Sequence, residues 1–421
     1  MYKILLIVIA VLFSACSAVT PAPQDPSKKV FDAEDAYILY ALRAEEVGRF
    51  DIASELFAKL YDKTGKKEYL YRHFGDLLGG RKFQQVIEEI TKIDVEEKDA
   101  KLLRFKTIAY LYSQDYTNAN TKALKLVGIT KNTQDYLLVA QTYIKLKKYK
   151  MALKYLEGAY NKNYDSKILD QISIIMYVNL QKPKDAIAQL ETHARMFGCS
   201  EVICKRLVAF YSDQNDVDGI LSVYKRMYQK NKNEDLLNKI IQIYMYKKDY
   251  IALEEFLKKN KVDNEILLEL YITTKQFKKA SSTAYNLYEK TKNVDFLAQA
   301  SIYEYEGMEK KTLKNLQKIV QNLKKVIKEK PKALYLNYLG YLLIDHDMDI
   351  NQGIIYVKQA LKEKPNAAYY LDSLGWGYYK LGECKKADKI FSRVRKLEGG
   401  DEKEIQEHYK KILECIKGRK K

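Results

Sequence analysis

The side chains that could do chemistry are few and widely spaced. Asp345-His346-Asp347-Met348-Asp349 opens like a calcium-binding loop. Such a loop needs Gly at its sixth position for a sharp turn and a bidentate Glu at its twelfth, and this chain has Ile350 and Tyr356 there. The segment therefore reads as a turn between helices. Gly79-Gly80-Arg81-Lys82 lacks the spacing that cradles a phosphate and also reads as a turn. His73, His193, His346 and His408 are scattered and no C-x-x-C occurs, so no zinc ligand set emerges. No Ser–His–Asp set, His-Glu-x-x-His motif or carboxylate pair stands out. The expectation is a chain that is not an enzyme and holds no metal or cofactor. Cys199 and Cys204 lie close enough in sequence to form a disulfide across a loop and helix start, or to serve as two small half-buried residues. Cys384 reads as a packing residue.

What must position any functional residue is a repeat. Phe50, Phe83, Tyr116, Tyr149, Pro183, Val217 and Tyr250 follow at steps of 33 or 34 residues. A 27-residue step to Phe277 and a 39-residue step to Leu316 follow, and the spacing returns to 34 at Ile350 and Cys384. Three residues beyond each of these eleven anchors, seven positions are Ala or Gly, which marks a close approach between helices. Seven beyond, all are apolar, and ten beyond, nine are. Offsets of 0, 3, 7 and 10 trace one face of an α-helix. A second periodic stretch precedes each anchor, as in Tyr136–Leu146 and Leu334–Leu343, separated from it by turns such as Gly48-Arg49 and Gly382-Glu383.

A helix–turn–helix unit of this length resembles the tetratricopeptide repeat (TPR). The match is sharpest in Leu336…Leu339-Gly340…Leu343…Pro365 and in Leu371…Leu374-Gly375…Tyr378…Ala387…Phe391. No unit of this size buries its own apolar face, so stacking must build the core. The resemblance implies an all-α superhelical solenoid of about eleven units, with a bend or junction at the irregular steps near 277 and 316. The expected divisions are residues 1–15, 16–32, 33–300 and 301–421. In this family the first helix of each unit lines a concave binding face. That places Leu334, Asn337 and Tyr341, then Tyr369, Asp372, Trp376 and Tyr379, on the face that would meet a partner. Trp376, the only tryptophan, is either an anchor for a partner or a residue packed between units. Lys205, Arg206, Asn238, Lys239 and Gln242 form a polar, basic stretch on the same inferred face, or ordinary solvated helix surface. Most of the 36 tyrosines are expected between helices with the hydroxyl reaching solvent.

The N-terminus reads as a processing segment. Lys3 precedes an apolar run from Ile4 to Phe13, about 15 Å long as a helix and too short to cross a ~30 Å bilayer core. Leu12-Phe13-Ser14-Ala15-Cys16 resembles the bacterial lipobox, which implies a signal peptide over 1–15 and a lipid on Cys16. Residues 16–32, with Pro21, Pro23 and Pro26, form a tether. Ser17 where retention at the inner membrane would use Asp implies an outer-membrane anchor facing the periplasm. Export removes nucleic acid as a partner despite the net charge of +18. The excess of Lys is either solvated surface or an attraction to anionic partners. The whole resembles long TPR lipoproteins that bind a periplasmic carboxyl-terminal processing protease. That implies a non-catalytic adaptor recruiting a protease or peptidoglycan hydrolases. The alternative is a structural or assembly component of an envelope machine such as a pilus, a flagellar motor or outer-membrane assembly.

Overall fold

The small and apolar positions of the repeat dictate where helices begin and which face they bury. A computed structural model of the protein describes residues 32–418. The expected signal peptide and lipidated Cys16 lie outside these residues, as does all of the expected tether but Asp32. Among the described residues there are twenty-three α-helices and no strand. They run α1 (Glu34–Glu46), α2 (Phe50–Thr64), α3 (Lys67–Gly79), α4 (Phe83–Ile93), α5 (Ala100–Tyr112), α6 (Tyr116–Thr130), α7 (Thr133–Lys145) and α8 (Tyr149–Asn163). Next come α9 (Ser166–Ile174), which continues in a π-helical turn over Ile175–Asn179, α10 (Pro183–Phe197), α11 (Glu201–Asp213), α12 (Val217–Lys230), α13 (Glu234–Lys247), α14 (Tyr250–Lys259), α15 (Asn264–Thr273) and α16 (Phe277–Thr291). The last are α17 (Val294–Glu306), α18 (Leu313–Glu329), α19 (Ala333–Asp345), α20 (Ile350–Glu363), α21 (Ala368–Lys380), α22 (Cys384–Val394) and α23 (Lys403–Gly418). Odd and even helices pair into the eleven expected repeats, and α23 is left over. The architecture is the expected all-α TPR-type solenoid.

Ten of the eleven anchors are the first residue of an even helix; the exception is Leu316, since α18 starts at Leu313. The turns explain this regularity. The residue two before the anchor adopts a left-handed conformation, as at Gly48, Arg81, Gln114, Lys147, Asn215, Lys248 and Gly382. The next N–H then reaches back to a carbonyl five residues earlier: Lys82 to Leu77 (2.8 Å), Lys148 to Tyr143 (2.9 Å) and Glu383 to Tyr378 (2.8 Å). This closes the odd helix and satisfies carbonyls that would otherwise lack a donor. Where that residue is Asp, as at Asp115, Asp216 and Asp249, its carboxylate also caps the even helix.

The positions three and seven beyond the anchors form the core. Ala53, Ala119, Ala152, Ala186, Ala280 and Ala387 are fully buried, as are Phe57, Leu190, Leu323 and Phe391. The Leu-Gly pairs mark the tightest approach. A Cβ on Gly340 would lie 2.8 Å from the Gly353 carbonyl oxygen, and one on Gly375 would lie 2.5 Å from the Phe391 ring. Ile93 departs from the pattern and is exposed, because α4 ends there.

The chain divides into two compact units at Leu236–Leu237, rather than at the irregular steps near 277 and 316. The 27-residue step arises because α14 and α15 are short, with ten residues each. The expected division at 300/301 falls inside α17, where Ala300 and Ser301 are fully buried.

Polar groups tie neighbouring repeats together. Arg104 in α5 donates from Nε and Nη2 to the two oxygens of Asp135 in α7, at 2.8 Å each. Arg226 in α12 donates from Nη1 and Nη2 to the two oxygens of Glu191 in α10, at 2.7 Å each. Glu97 is held by Lys106, Lys122 and Lys125. Burial works to raise its pKa, but the three lysines prevail and hold it at about 2. Tyrosine hydroxyls join in: Tyr71 donates to Asp99 (2.8 Å), Tyr177 to Asp213 (2.6 Å) and Tyr338 to Glu306 (2.7 Å). These hydroxyls engage carboxylates of other helices rather than simply reaching solvent, which corrects the expectation for them.

One buried acid is poorly matched. Asp76 in α3 is 5% exposed, and its Oδ2 has no hydrogen-bond partner among the described residues. Burial first, then neighbouring Glu45, pushes its pKa up to about 8. The folded chain therefore keeps a proton here that the unfolded chain releases near pH 4. Stability should be greatest below that value and fall as pH rises toward 8. Asp76→Asn should remove this slope and leave the variant about 1–3 kcal/mol more stable than the parent at pH 9. Urea midpoints measured from pH 5 to 9 check it; parallel pH profiles for parent and variant would refute it.

Candidate functional site

The first helices of the last two repeats, α19 and α21, present the residues expected on the partner-facing side. The structure gathers most of them, but covers several with α23. Trp376 is 4% exposed. Its ring stacks on His408 of α23, with centroids 4.1 Å apart, and on Tyr379 at 4.7 Å. Its Nε1 donates to Asp345 Oδ1 at 3.0 Å, and the ammonium groups of Lys411 and Lys380 lie over its face at 5.1 and 5.6 Å. Asp372 is equally buried, with both oxygens near His408 Nδ1 at 3.0 and 3.1 Å. Burial raises its pKa, opposed by His408. Tyr341 donates its hydroxyl to Glu404 of α23 at 2.6 Å. Burial raises the Tyr341 pKa, with the Glu404 contact acting in the same direction. Asp372 is thus not open on the concave face as expected, and of the two readings of Trp376 the structure shows the packed one: the chain's own last helix sits on both.

The remaining residues differ. Asn337 is half-buried, and its Oδ1 has no partner among the described residues. Tyr379 is half-buried, whereas Leu334 and Tyr369 are exposed. Lys205 is exposed and pairs with Glu201 at 2.6 Å. Arg206 is half-buried and donates twice to Asp170 of the preceding repeat, at 2.6 and 3.1 Å. It ties repeats together rather than standing free for a partner. Asn238 and Gln242 are exposed and Lys239 is half-buried. Lys205 and Arg206 belong to the first compact unit and Asn238, Lys239 and Gln242 to the second.

Cys199 and Cys204 are bonded, with Cα atoms 5.5 Å apart. A second disulfide, absent from the sequence reading, joins Cys384 at the start of α22 to Cys415 in α23, with Cα atoms 6.1 Å apart. It stitches the last helix to the last repeat, so Cys384 does more than pack. Glu404, His408 and Lys411 are the other residues the sequence reading missed. Ile405, Ile412 and Ile416, at seven- and four-residue intervals, carried the signal of an amphipathic helix. Ile405 and Ile412 are buried in a cluster with Phe391 and Val394.

Among the described residues, no group of three or more His, Cys, Asp or Glu could hold a metal ion. None of the described helices is long and apolar enough to cross a membrane.

No family model matches the chain, and no curated protein matches it. Solved structures do. The crystal structure of the APC/C hetero-tetramer Cut9–Hcn1 is 11% identical, over 92% of this chain and 84% of that one, with a TM-score of 0.34. MamA from Desulfovibrio magneticus RS-1, residues 41 to the end, is 14% identical over 40% of this chain and 97% of that one, at 0.35. Pseudomonas aeruginosa pilF is 14% identical over 52% of this chain and 100% of that one, at 0.37. Likeness at this level assigns no function.

Proposed function

We propose that the protein is a non-catalytic interaction scaffold, lipid-anchored at Cys16 and facing the periplasm, that recruits a processing protease or peptidoglycan hydrolases. The observation that carries the scaffold reading is the use of side chains. Helix after helix commits one face to the core and its cation–carboxylate pairs to the neighbouring repeat. What is left is surface suited to holding another chain rather than a constellation suited to a reaction. Two disulfides favour an oxidising compartment, in keeping with an exported protein. Such a scaffold would accelerate a reaction between others by raising their effective concentration.

Affinity capture from detergent-solubilised envelopes tests it. The expected result is recovery of a processing protease or a cell-wall hydrolase. Recovery of neither, where other lipoprotein complexes survive, would sink the recruitment reading. A deletion strain that loses motility or piliation with normal hydrolase levels would favour a component of an envelope machine instead. Radiolabelled palmitate should enter the parent chain and not Cys16→Ala; equal labelling would refute the anchor.

A further inference from the structure

The last helix starts 35 residues after α21 does, in the place of a further repeat's first helix, and it reaches across two repeats. Glu404 meets Tyr341 of α19, 63 residues away, at 2.6 Å. His408 meets both Asp372 and Trp376 of α21. Lys411 lies over the Trp376 ring. Glu404, His408 and Lys411 are spaced i, i+4 and i+7 and so share one face of α23. The residues they touch are those that repeat geometry assigns to partner recognition. That face of repeats ten and eleven therefore already holds a helix, and the contacts define what it takes. It accepts a carboxylate at the Tyr341 hydroxyl, a flat imidazole between Asp372 and Trp376, and a cation over the indole.

The resident helix is also covalently held. Cys384 is 1% exposed, whereas Cys415 is half-buried. An incoming thiolate therefore reaches the Cys415 sulfur more readily.

We propose that this face is a helix-binding groove with α23 as its resident ligand, and that the Cys384–Cys415 disulfide is a latch whose opening admits a partner helix of the same carboxylate–imidazole–lysine pattern. The proposal rests on the interaction-scaffold reading. The opening step is a thiol–disulfide exchange with a dithiol. One thiolate attacks the Cys415 sulfur and expels the Cys384 thiolate, which takes up a proton. The second thiolate of the reagent then resolves the mixed disulfide, releasing Cys415 as a thiol. The dithiol leaves as a disulfide, and two electrons have passed to the protein. With the latch closed, a competitor faces a ligand that cannot diffuse away. With it open, the tethered helix still competes at high effective concentration but exchanges.

The test uses the full chain and a fluorescent peptide covering residues 401–418 with Cys415→Ser. Anisotropy is read against the untreated chain, the chain treated with dithiothreitol, and a Cys384→Ser/Cys415→Ser variant. The peptide should bind the two opened forms about tenfold or more tighter than the untreated form. A peptide carrying Glu404→Gln and His408→Ala should lose that gain. The Cys199→Ser/Cys204→Ser variant should behave like the untreated chain, because its disulfide lies in the other compact unit. Circular dichroism confirms that the variants remain helical. Equal binding to closed and opened forms, no binding to either, or alkylation of both Cys384 and Cys415 in the untreated chain would each overturn the proposal. The probe is a segment of this chain, so the outcome does not depend on which proteins the envelope capture recovers.

Discussion

Replacing Arg104 by alanine is expected to destabilise the N-terminal compact unit by about 3–5 kcal/mol, the range for removing one partner of a buried ion pair. The Asp135 side chain is only 1% exposed and takes both its charge-assisted bonds from the Arg104 guanidinium. Without Arg104 the carboxylate keeps the Thr130 hydroxyl, which brings no charge. The pair bridges α5 and α7, so the loss falls on the interface between the third and fourth repeats. In a stack held by nearest neighbours, a weak interface lets the array open there. Faster amide exchange over α5 to α8, together with a lower urea midpoint, should report it. Arg104→Met/Asp135→Leu should recover most of the loss, because matched apolar replacements leave no stranded charge. A single-variant loss below about 1 kcal/mol would show that the pair behaves like an exposed one.

Arg104 also shows what the sequence held unread. Asp135 lies 31 residues from it, Asp170 lies 36 from Arg206, and Glu191 lies 35 from Arg226. These separations cluster around the repeat period. Charges one period apart meet on the same helix face of successive repeats, so the pairing was available from the spacing that located the helices. Reading Lys205 and Arg206 as a basic patch treated the charges singly. The helix starts were legible because Ala, Gly and large apolar residues recur with period 3.6 behind each anchor. The left-handed turn positions were not. Gln114, Lys147 and Lys248 carry positive φ where the conformational cost alone would favour Gly.

The candidate site was legible by side but not by state. Repeat geometry gave the helix face on which Trp376, Asp372 and Tyr341 lie. What went unread is that another segment covers that face, although α23 starts 35 residues after α21 does, the same step that separates α21 from α19. The apolar spacing at Ile405 and Ile412 continues that of Leu371 and Tyr378 one period on. The four cysteines beyond Cys16 were a further hint, since an even number permits two pairs. Cys384 and Cys415, separated by 31 residues, could be matched only once α22 and α23 were packed together.

Trp376→Ala is expected to cost the C-terminal compact unit about 3–5 kcal/mol. The indole fills the space between His408 and Tyr379 and donates to Asp345, so truncation removes packing on both faces and a charge-assisted hydrogen bond together. The His408 ring then loses its stacking partner while Asp372 still holds its Nδ1. The disulfide to Cys384 keeps the far end of α23 in place. The predicted outcome is therefore a loosened helix rather than a lost one, with amide exchange rising most over residues 403–411. Trp376→Phe separates the causes. It keeps most of the apolar ring and loses the N–H, so its cost should be about 1–2 kcal/mol. Trp376 is the only tryptophan, so both variants lack tryptophan emission and their urea transitions must be followed by circular dichroism. Should Trp376→Ala lie within about 1 kcal/mol of the parent, the indole would be a tolerated passenger under α23. A full loss, combined with faster exchange confined to α21 and α23, would establish that the one tryptophan holds the terminal helix on the face it covers.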